Sequence, residues 1–520
     1  MISRVGGRLP LFFLAALFSA IAALFVVFAY NLYPLPSGDS HLFVPPAVSL
    51  RNGHGFRDPL SGLKDLLDPS GRARYVQYPP LFPLVIAACM PTGSVRAAYL
   101  VIAGMSVLAL AAAAFLLWRD LEPEKPLSFR PALEIGFAGL GMATALLGQQ
   151  AGRPEALATP IALAACAVML HWRGVPARPW FVGLLIGLMG AVHPMGAVLL
   201  WLLLCAVLAV QLATLPAVRF ATLSLATALG AFAAILALSP SGLPAIIAGS
   251  WRHAHIALLR GSPASIAWYW LNSSTASFYA FPYLATLGLI VALLVSRRLA
   301  PRSWSLLALA VSGGAAIVWL TVVQVPELCY NVILFAPIVF WFNLHAARRL
   351  GSSSARAAIT ACSGVSALGF VRSVILLAIF LRSGVPFAAA RSAYARLAEH
   401  TTGPVAITPS FWVLAEDYDR MEVILDALHA GARPGAMMVQ QSYSGLLEPP
   451  QVPQFMLLED RFAHRPYQLL GITIAHSLPG YGFAIYRRTG LEPDASAGPL
   501  GAAGTALAPA ARRARGTVKQ

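Results

Sequence analysis

The chain holds 520 residues, of which 58% are hydrophobic and only 11% charged, and its 37 Lys and Arg against 21 Asp and Glu give a formal charge of +16. Soluble chains carry roughly 25% charged residues and the mean hydropathy here is +0.70, so a single soluble domain, a disordered protein and a disulfide-stapled secreted scaffold are excluded. What remains is a polytopic α-helical membrane protein. The positive excess has an ordinary origin, because cytoplasmic loops collect Lys and Arg. No basic-aromatic stripe marks a nucleic-acid site, and that class is set aside. Cys89, Cys166, Cys205, Cys329 and Cys362 lie in or beside apolar runs without a CxxC pair, as helix-packing residues do.

The first apolar run, 11–30, is long enough to cross a bilayer and too long for a signal-peptide core. Arg4 and Arg8 precede it, which places the N-terminus in the cytoplasm. A polar loop follows over 31–83, rich in Pro and Gly, in which 43–51 and 62–67 read as short amphipathic helices on the membrane surface. Further spans are expected at 98–118, 132–148, 156–170, 181–192, 195–212, 220–238, 281–295, 304–323, 331–344 and 359–381. Basic residues recur on alternate connections, at Arg119, Arg173, Arg219, Arg297 and Arg348, on the side of Arg4 and Arg8. The count is eleven spans, or ten if His193-Pro194 interrupts one broken helix. With eleven, the C-terminal part lies outside. There, 405–407 and 437–439 read as strands, 419–429 as a helix, and 472–476 and 481–487 as two strands around the turn Leu478-Pro479-Gly480. The expected fold is therefore an all-α polytopic membrane domain over 1–383, a small extracytoplasmic α/β domain over 384–490, and a disordered basic tail over 491–520.

Five polar clusters fall on the outer side. Gly38-Asp39-Ser40-His41 follows the first span; a carboxylate there can take a proton from a hydroxyl, although by position alone the sequence reads first as a turn. Tyr75-Val76-Gln77-Tyr78-Pro79-Pro80-Leu81-Phe82-Pro83-Leu84 leads into an apolar stretch of about ten residues, too short to span, which suits a re-entrant or interfacial segment. Gln149-Gln150-Ala151-Gly152-Arg153-Pro154-Glu155 puts a cation and an anion between two apolar helices, where charge marks function as readily as it marks a hairpin. His193-Pro194 breaks an apolar run and frees backbone groups that need partners. The fifth is Val325-Pro326-Glu327 through Asn331. No Walker loop, HExxH or GxSxG motif is present.

In their order and sidedness these pieces resemble the GT-C superfamily of integral-membrane glycosyltransferases. They are most similar to the bacterial branch containing protein mannosyltransferases and lipid A aminoarabinose transferases. The sharp matches are Asp39, Tyr78-Pro79-Pro80, Arg153-Pro154-Glu155 and His193-Pro194. The resemblance implies a polyprenyl-phosphate sugar as donor, a hydroxyl acceptor on a glycan, lipid or protein, and a bacterial inner membrane with the reaction on its outer face. It assigns the general base to Asp39. Donor phosphate and substrate binding then fall on Arg153 first and His193 second, with Glu155, Tyr78, His41, Arg57, Lys64 and Arg74 around them. Many relatives carry two adjacent acids in the first loop, whereas Asp39 stands between Gly38 and Ser40. No cofactor is expected, and a divalent metal has no support in the residues. The alternative is a non-enzymatic transporter or lipid-linked sugar flippase, which would also show broken helices and buried charges but leaves the long first loop and the outer domain unexplained. An O-antigen ligase or polymerase usually places its large outer loop late in the chain, and here it comes first.

Overall fold

The computed structural model describes residues 8–36, 38–60, 75, 78–119, 129–172, 174–211, 214–248, 283, 285–286, 288–289, 328–423, 435–440, 455–461, 467–469, 472–475 and 479–488. The first span is helix α1, Arg8–Tyr30, without a charged residue after Arg8. The loop after it forms the 3-10 turn Gly38–Leu42 and two short helices, α2 (Pro45–Arg51) and α3 (Leu81–Cys89). Among the described residues, apolar helices follow at α4 (Val95–Arg119), α5 (Phe129–Gln149), α6 (Glu155–His171), α7 (Arg178–Gly190), α8 (Pro194–Gln211), α9 (Thr214–Leu238) and α10 (Leu328–Leu350). The long helix α11, Ser353–Ser383, leads to α12, Phe387–Glu399, and the C-terminal domain.

Among the described residues, α1, α4, α5, α9 and α11 are long and apolar enough to cross a bilayer. Their outer faces expose Phe12, Leu108, Phe115, Leu229 and Leu368, the surface that lipid tails would cover. Lipid tails are as apolar as these side chains, so helix association in a bilayer rests on close packing. Gly183 and Gly187, one turn apart on α7, provide it. A Cβ on either would run into the backbone carbonyls of Ser224 and Ala228 on α9. The helices α7 and α8 are two separate helices lying side by side, joined by a turn at 191–193, so His193-Pro194 makes a hairpin and not a kink in one rod. The spans expected at 281–295 and 304–323 lie mostly or wholly outside the described residues, as do the segment 62–67 and the tail.

The C-terminal domain has β1 (Val405–Ile407), β2 (Met421–Val423), β3 (Ala436–Gln440), β4 (Phe455–Asp460), β5 (Tyr467–Leu469), β6 (Ile472–Ala475) and β7 (Phe483–Arg488). Five strands form one mixed sheet in the order β2-β1-β3-β7-β4, with β1 parallel to both neighbours and β7 antiparallel to both of its own. A 3-10 turn, Pro409–Leu414, follows β1 and buries Phe411 and Trp412 completely.

Three expectations need correction. Helix α2 does not offer its apolar residues to lipid: Pro45 to Ser49 are buried against α3 and α4, since an amphipathic pattern marks a covered face without saying whether protein or lipid covers it. The stretch expected as a helix from 419 holds β2 at Met421–Val423, where parallel pairing with β1 overrides a weak local pattern; residues 424–434 lie outside the described residues. Strands β6 and β7 are not hairpin partners, since β6 pairs with β5 and β7 sits between β3 and β4.

The orientation can be checked on exposed positions. In a cysteine-free background, His54→Cys on the first loop should react with a membrane-impermeant thiol reagent in intact cells, and Ser353→Cys at the start of α11 should react only after lysis. The reverse pattern would invert the sidedness.

Candidate active site

Four stretches far apart in the chain meet in one place. The 3-10 turn Gly38–Leu42 carries Asp39, Ser40 and His41, with Ser40 and His41 buried. Just after it, the Phe43 ring packs edge-on against Tyr78, with centroids 4.8 Å apart. On another side of the same ring stands the Arg153 guanidinium, 5.7 Å from its centroid. Gly152 has φ of +87°, and a Cβ there would come within 2.7 Å of Ser40 Cβ, so the Arg153 turn lies directly against the Asp39 turn. The Leu81 amide donates to the Ala191 carbonyl at 3.1 Å, which ties the Tyr78-Pro79-Pro80 element to the turn before His193.

At the centre is a buried charge cluster. Arg153 donates from Nε to Glu155 Oε2 (3.2 Å) and from Nη2 to Oε1 (3.1 Å), a two-pronged pair in which Glu155 is 1% exposed. His193 precedes Pro194, the first residue of α8, and its Nδ1 accepts from the Gly196 amide at 3.0 Å. That is a helix cap with Pro at the first helical position. An accepting Nδ1 puts the ring proton on Nε2, which lies 3.4 Å from Glu155 Oε1 and donates to it. Glu155 thus gathers three N–H donors and holds two elements together. Buried ion pairs add little stability, because desolvation offsets the Coulomb attraction. Their place here, where four loops converge, suits ligand handling better than packing.

The cap and the ion pair can be separated. His193→Ala removes both and should lower stability by about 1 kcal/mol through the cap alone. His193→Asn keeps a capping side chain and should stay close to wild type in thermal unfolding while losing the contact to Glu155. Equal destabilisation by Ala and Asn would mean that the cap contributes nothing.

Around the Arg153 motif, and elsewhere in the first loop, lies polar capacity that no described residue uses. Both amide atoms of Gln150, Oε1 of Gln149 and the hydroxyls of Tyr99 and Tyr75 are buried without a hydrogen-bond partner among the described residues. The Tyr99 hydroxyl lies 3.4 Å from where a Gly152 Cβ would be. Burial, and then the nearby Asp58, push the Tyr75 phenol well above its usual range, so it keeps its proton and remains a donor. Buried polar groups nearly always find partners, and a ligand rich in hydroxyls would supply them. Gln149, Gln150 and Tyr75 belong to the polar clusters that the sequence singles out, though the resemblance gives none of them a role; Tyr99 lies outside those clusters.

Other candidates fall elsewhere. Arg57 pairs with Asp419 of the C-terminal domain at 3.1 Å. Lys64 and Arg74 lie outside the described residues. The Asp417-Tyr418-Asp419 triplet has Asp-x-Asp spacing but is used locally, Asp417 Oδ1 accepting from the Asp419 amide at 3.2 Å. Among the described residues no three His, Cys, Asp or Glu side chains stand together as a metal-ligand set.

No family model matches the chain, and no curated protein sequence matches it. Solved structures do. The chain superposes on the crystal structure of ArnT from Cupriavidus metallidurans bound to undecaprenyl phosphate with a TM-score of 0.54 at 12% identity, over 93% of this chain and 99% of that one. It also matches the Archaeoglobus fulgidus oligosaccharyltransferase tethered to an acceptor peptide, with a TM-score of 0.45 at 12% identity over 88% of this chain and 73% of that one. The fold is therefore of the GT-C type that the sequence resemblance implies, a helical membrane domain with a small C-terminal sheet domain.

Proposed function

We propose that the protein transfers a sugar from a polyprenyl-phosphate donor to a hydroxyl acceptor, with inversion, at the outer face of a bacterial inner membrane. The observation that supports this reading is that the turn carrying Asp39 meets Tyr78, Arg153, Glu155 and His193, from four separate stretches, on a fold shared with a transferase whose structure holds undecaprenyl phosphate. Asp39 takes the proton of the acceptor hydroxyl as its oxygen attacks the anomeric carbon. The bond from that carbon to the phosphate oxygen breaks, and polyprenyl phosphate leaves with one more negative charge. Donors aimed at that growing charge stabilise the transition state; Arg153 is the one at hand, and His193, whose one ring N–H goes to Glu155, holds the Arg153–Glu155 pair in place. Glu155 sets their geometry and keeps the buried cluster from carrying an uncompensated cation. Buried amide and phenol groups of Gln150 and Tyr99 bind sugar hydroxyls. An apolar groove lined by Gly187, Gly190, Pro194, Trp201, Leu225 and Phe232 begins one residue from His193 and suits a prenyl chain.

The test is mass spectrometry of lipid-linked and surface glycans in a strain lacking the gene. The expected result is loss of one sugar from a surface glycan, lipid or protein, with accumulation of the matching polyprenyl-phosphate sugar. Accumulation of the donor on the inner leaflet alone, with the transfer step intact in lysates, would assign a flippase and not a transferase.

A further inference from the structure

We infer that the C-terminal domain is part of the catalytic machinery, and that Trp412 is a positioning residue that acts through Ser40 on the turn carrying Asp39. The inference rests on the transferase reading for its consequence, but its geometry stands apart from it.

Trp412 is fully buried in the 3-10 turn after β1, and its indole N–H, a donor with no acceptor capacity, points out of the C-terminal domain to Ser40 Oγ at 2.8 Å. Ser40 is the residue after Asp39. Ser40 also lies against Gly152, where a Cβ would stand only 2.7 Å from Ser40 Cβ. The Ser40 carbonyl accepts the amides of Phe43 and Val44 at 3.1 Å each, so holding Ser40 holds the whole turn. The grip is repeated along the loop: Tyr481 Oη donates to the Leu32 carbonyl at 2.7 Å, and Asp419 pairs with Arg57. The Asp39 turn is thus held by the C-terminal domain and lies against the Arg153 turn. A general base needs a fixed distance to its proton, and a misplacement of about 1 Å can cost about 10²-fold in rate.

The experiment uses the full-length protein in nanodiscs, with Trp412→Phe, Ser40→Ala and the double variant. Trp412→Phe removes the donor but leaves an aromatic ring in the core. Ser40→Ala removes the acceptor without touching the sheet domain, so one of the two variants reports even if the other folds poorly. Hydrogen exchange at the Phe43 and Val44 amides should speed up by about fivefold or more in each, as expected for one lost hydrogen bond. Turnover, read as return of the missing sugar in the null strain, should fall about 10- to 100-fold. Binding of undecaprenyl phosphate should stay within about twofold, and the double variant should be no worse than the worse single, as for two ends of one bond. Unchanged exchange would overturn the clamp. Faster exchange with unchanged turnover would overturn the positioning role, and Asp39→Asn in the same assay then says whether the base assignment falls with it or survives alone.

Discussion

Replacing Asp39 by Asn is expected to lower turnover about 10²–10⁴-fold, the usual effect of losing a general base, while binding of undecaprenyl phosphate changes little. The two side chains share shape, so a 3-10 turn over Gly38–Leu42 accommodates either. Asn also forms the side-chain-to-backbone bonds that make Asp common in turns. What Asn cannot do is take a proton from an attacking hydroxyl. The substitution therefore divides the two meanings of this residue. A turn former would leave purified protein with its rate and at most a modest loss of yield. The measurement is single-turnover rate and lipid affinity, using as donor the polyprenyl-linked sugar that accumulates in the null strain. Near-normal turnover would remove Asp39 from the mechanism and favour transport of a lipid-linked sugar.

The parts of this site that were legible in the sequence are those with chemistry and position in one short string. Asp39 just past a span, Arg153 and Glu155 between two apolar helices, and His193 before a helix-breaking Pro could each be placed on the same side by counting spans. Loop charge assigns them all to one side, and elements on one side of a bundle have few places to be. The contacts that join them were not legible. Phe43 sits between Arg153 and Tyr78 as an ordinary aromatic in a loop, and nothing in its neighbours marks it. Trp412 and Ser40 are 372 residues apart, and each belongs to a string that reads as common turn or core sequence. Arg57 was grouped with the phosphate binders on its charge, yet charge alone cannot distinguish a ligand from Asp419. The C-terminal sheet was misread for the same reason: β7 pairs with β3 and β4 across long loops, and pairing of that kind leaves no local periodicity. Pro194 marks a break but leaves a kink and a hairpin equally open, and the His193 cap that starts α8 as a separate helix is visible only in the structure.

The Arg153–Glu155 pair offers the second large effect, because stability and activity should part company there. Both side chains are nearly fully buried and joined by two hydrogen bonds. Removing one charge from a buried pair leaves the other unpaired and typically costs about 3–5 kcal/mol. Arg153→Met should therefore fold poorly, with Glu155 left to the His193 Nε2–H alone, and Glu155→Met should fold poorly with a buried guanidinium. Replacing both with apolar residues of similar length is different. Such exchanges are often neutral or even stabilising, since two desolvation penalties vanish together. The double variant Arg153→Met/Glu155→Met is thus expected to unfold near the wild-type temperature in detergent and to insert normally. Its turnover should nonetheless be lost, because the cation that stands beside Phe43 to meet the leaving phosphate is gone, and loss of one such electrostatic donor costs about 10²–10³-fold elsewhere. Lipid affinity should weaken as well, since the positive charge acts on the phosphate before and during the reaction. This pattern differs from that of Asp39→Asn, in which the rate falls and binding holds. A stable double variant that retains turnover would show that Arg153 and Glu155 serve only to pack α6 against the His193 turn, and the phosphate would then need another cation, for which Lys64 and Arg74 on the first loop are the remaining sequence candidates.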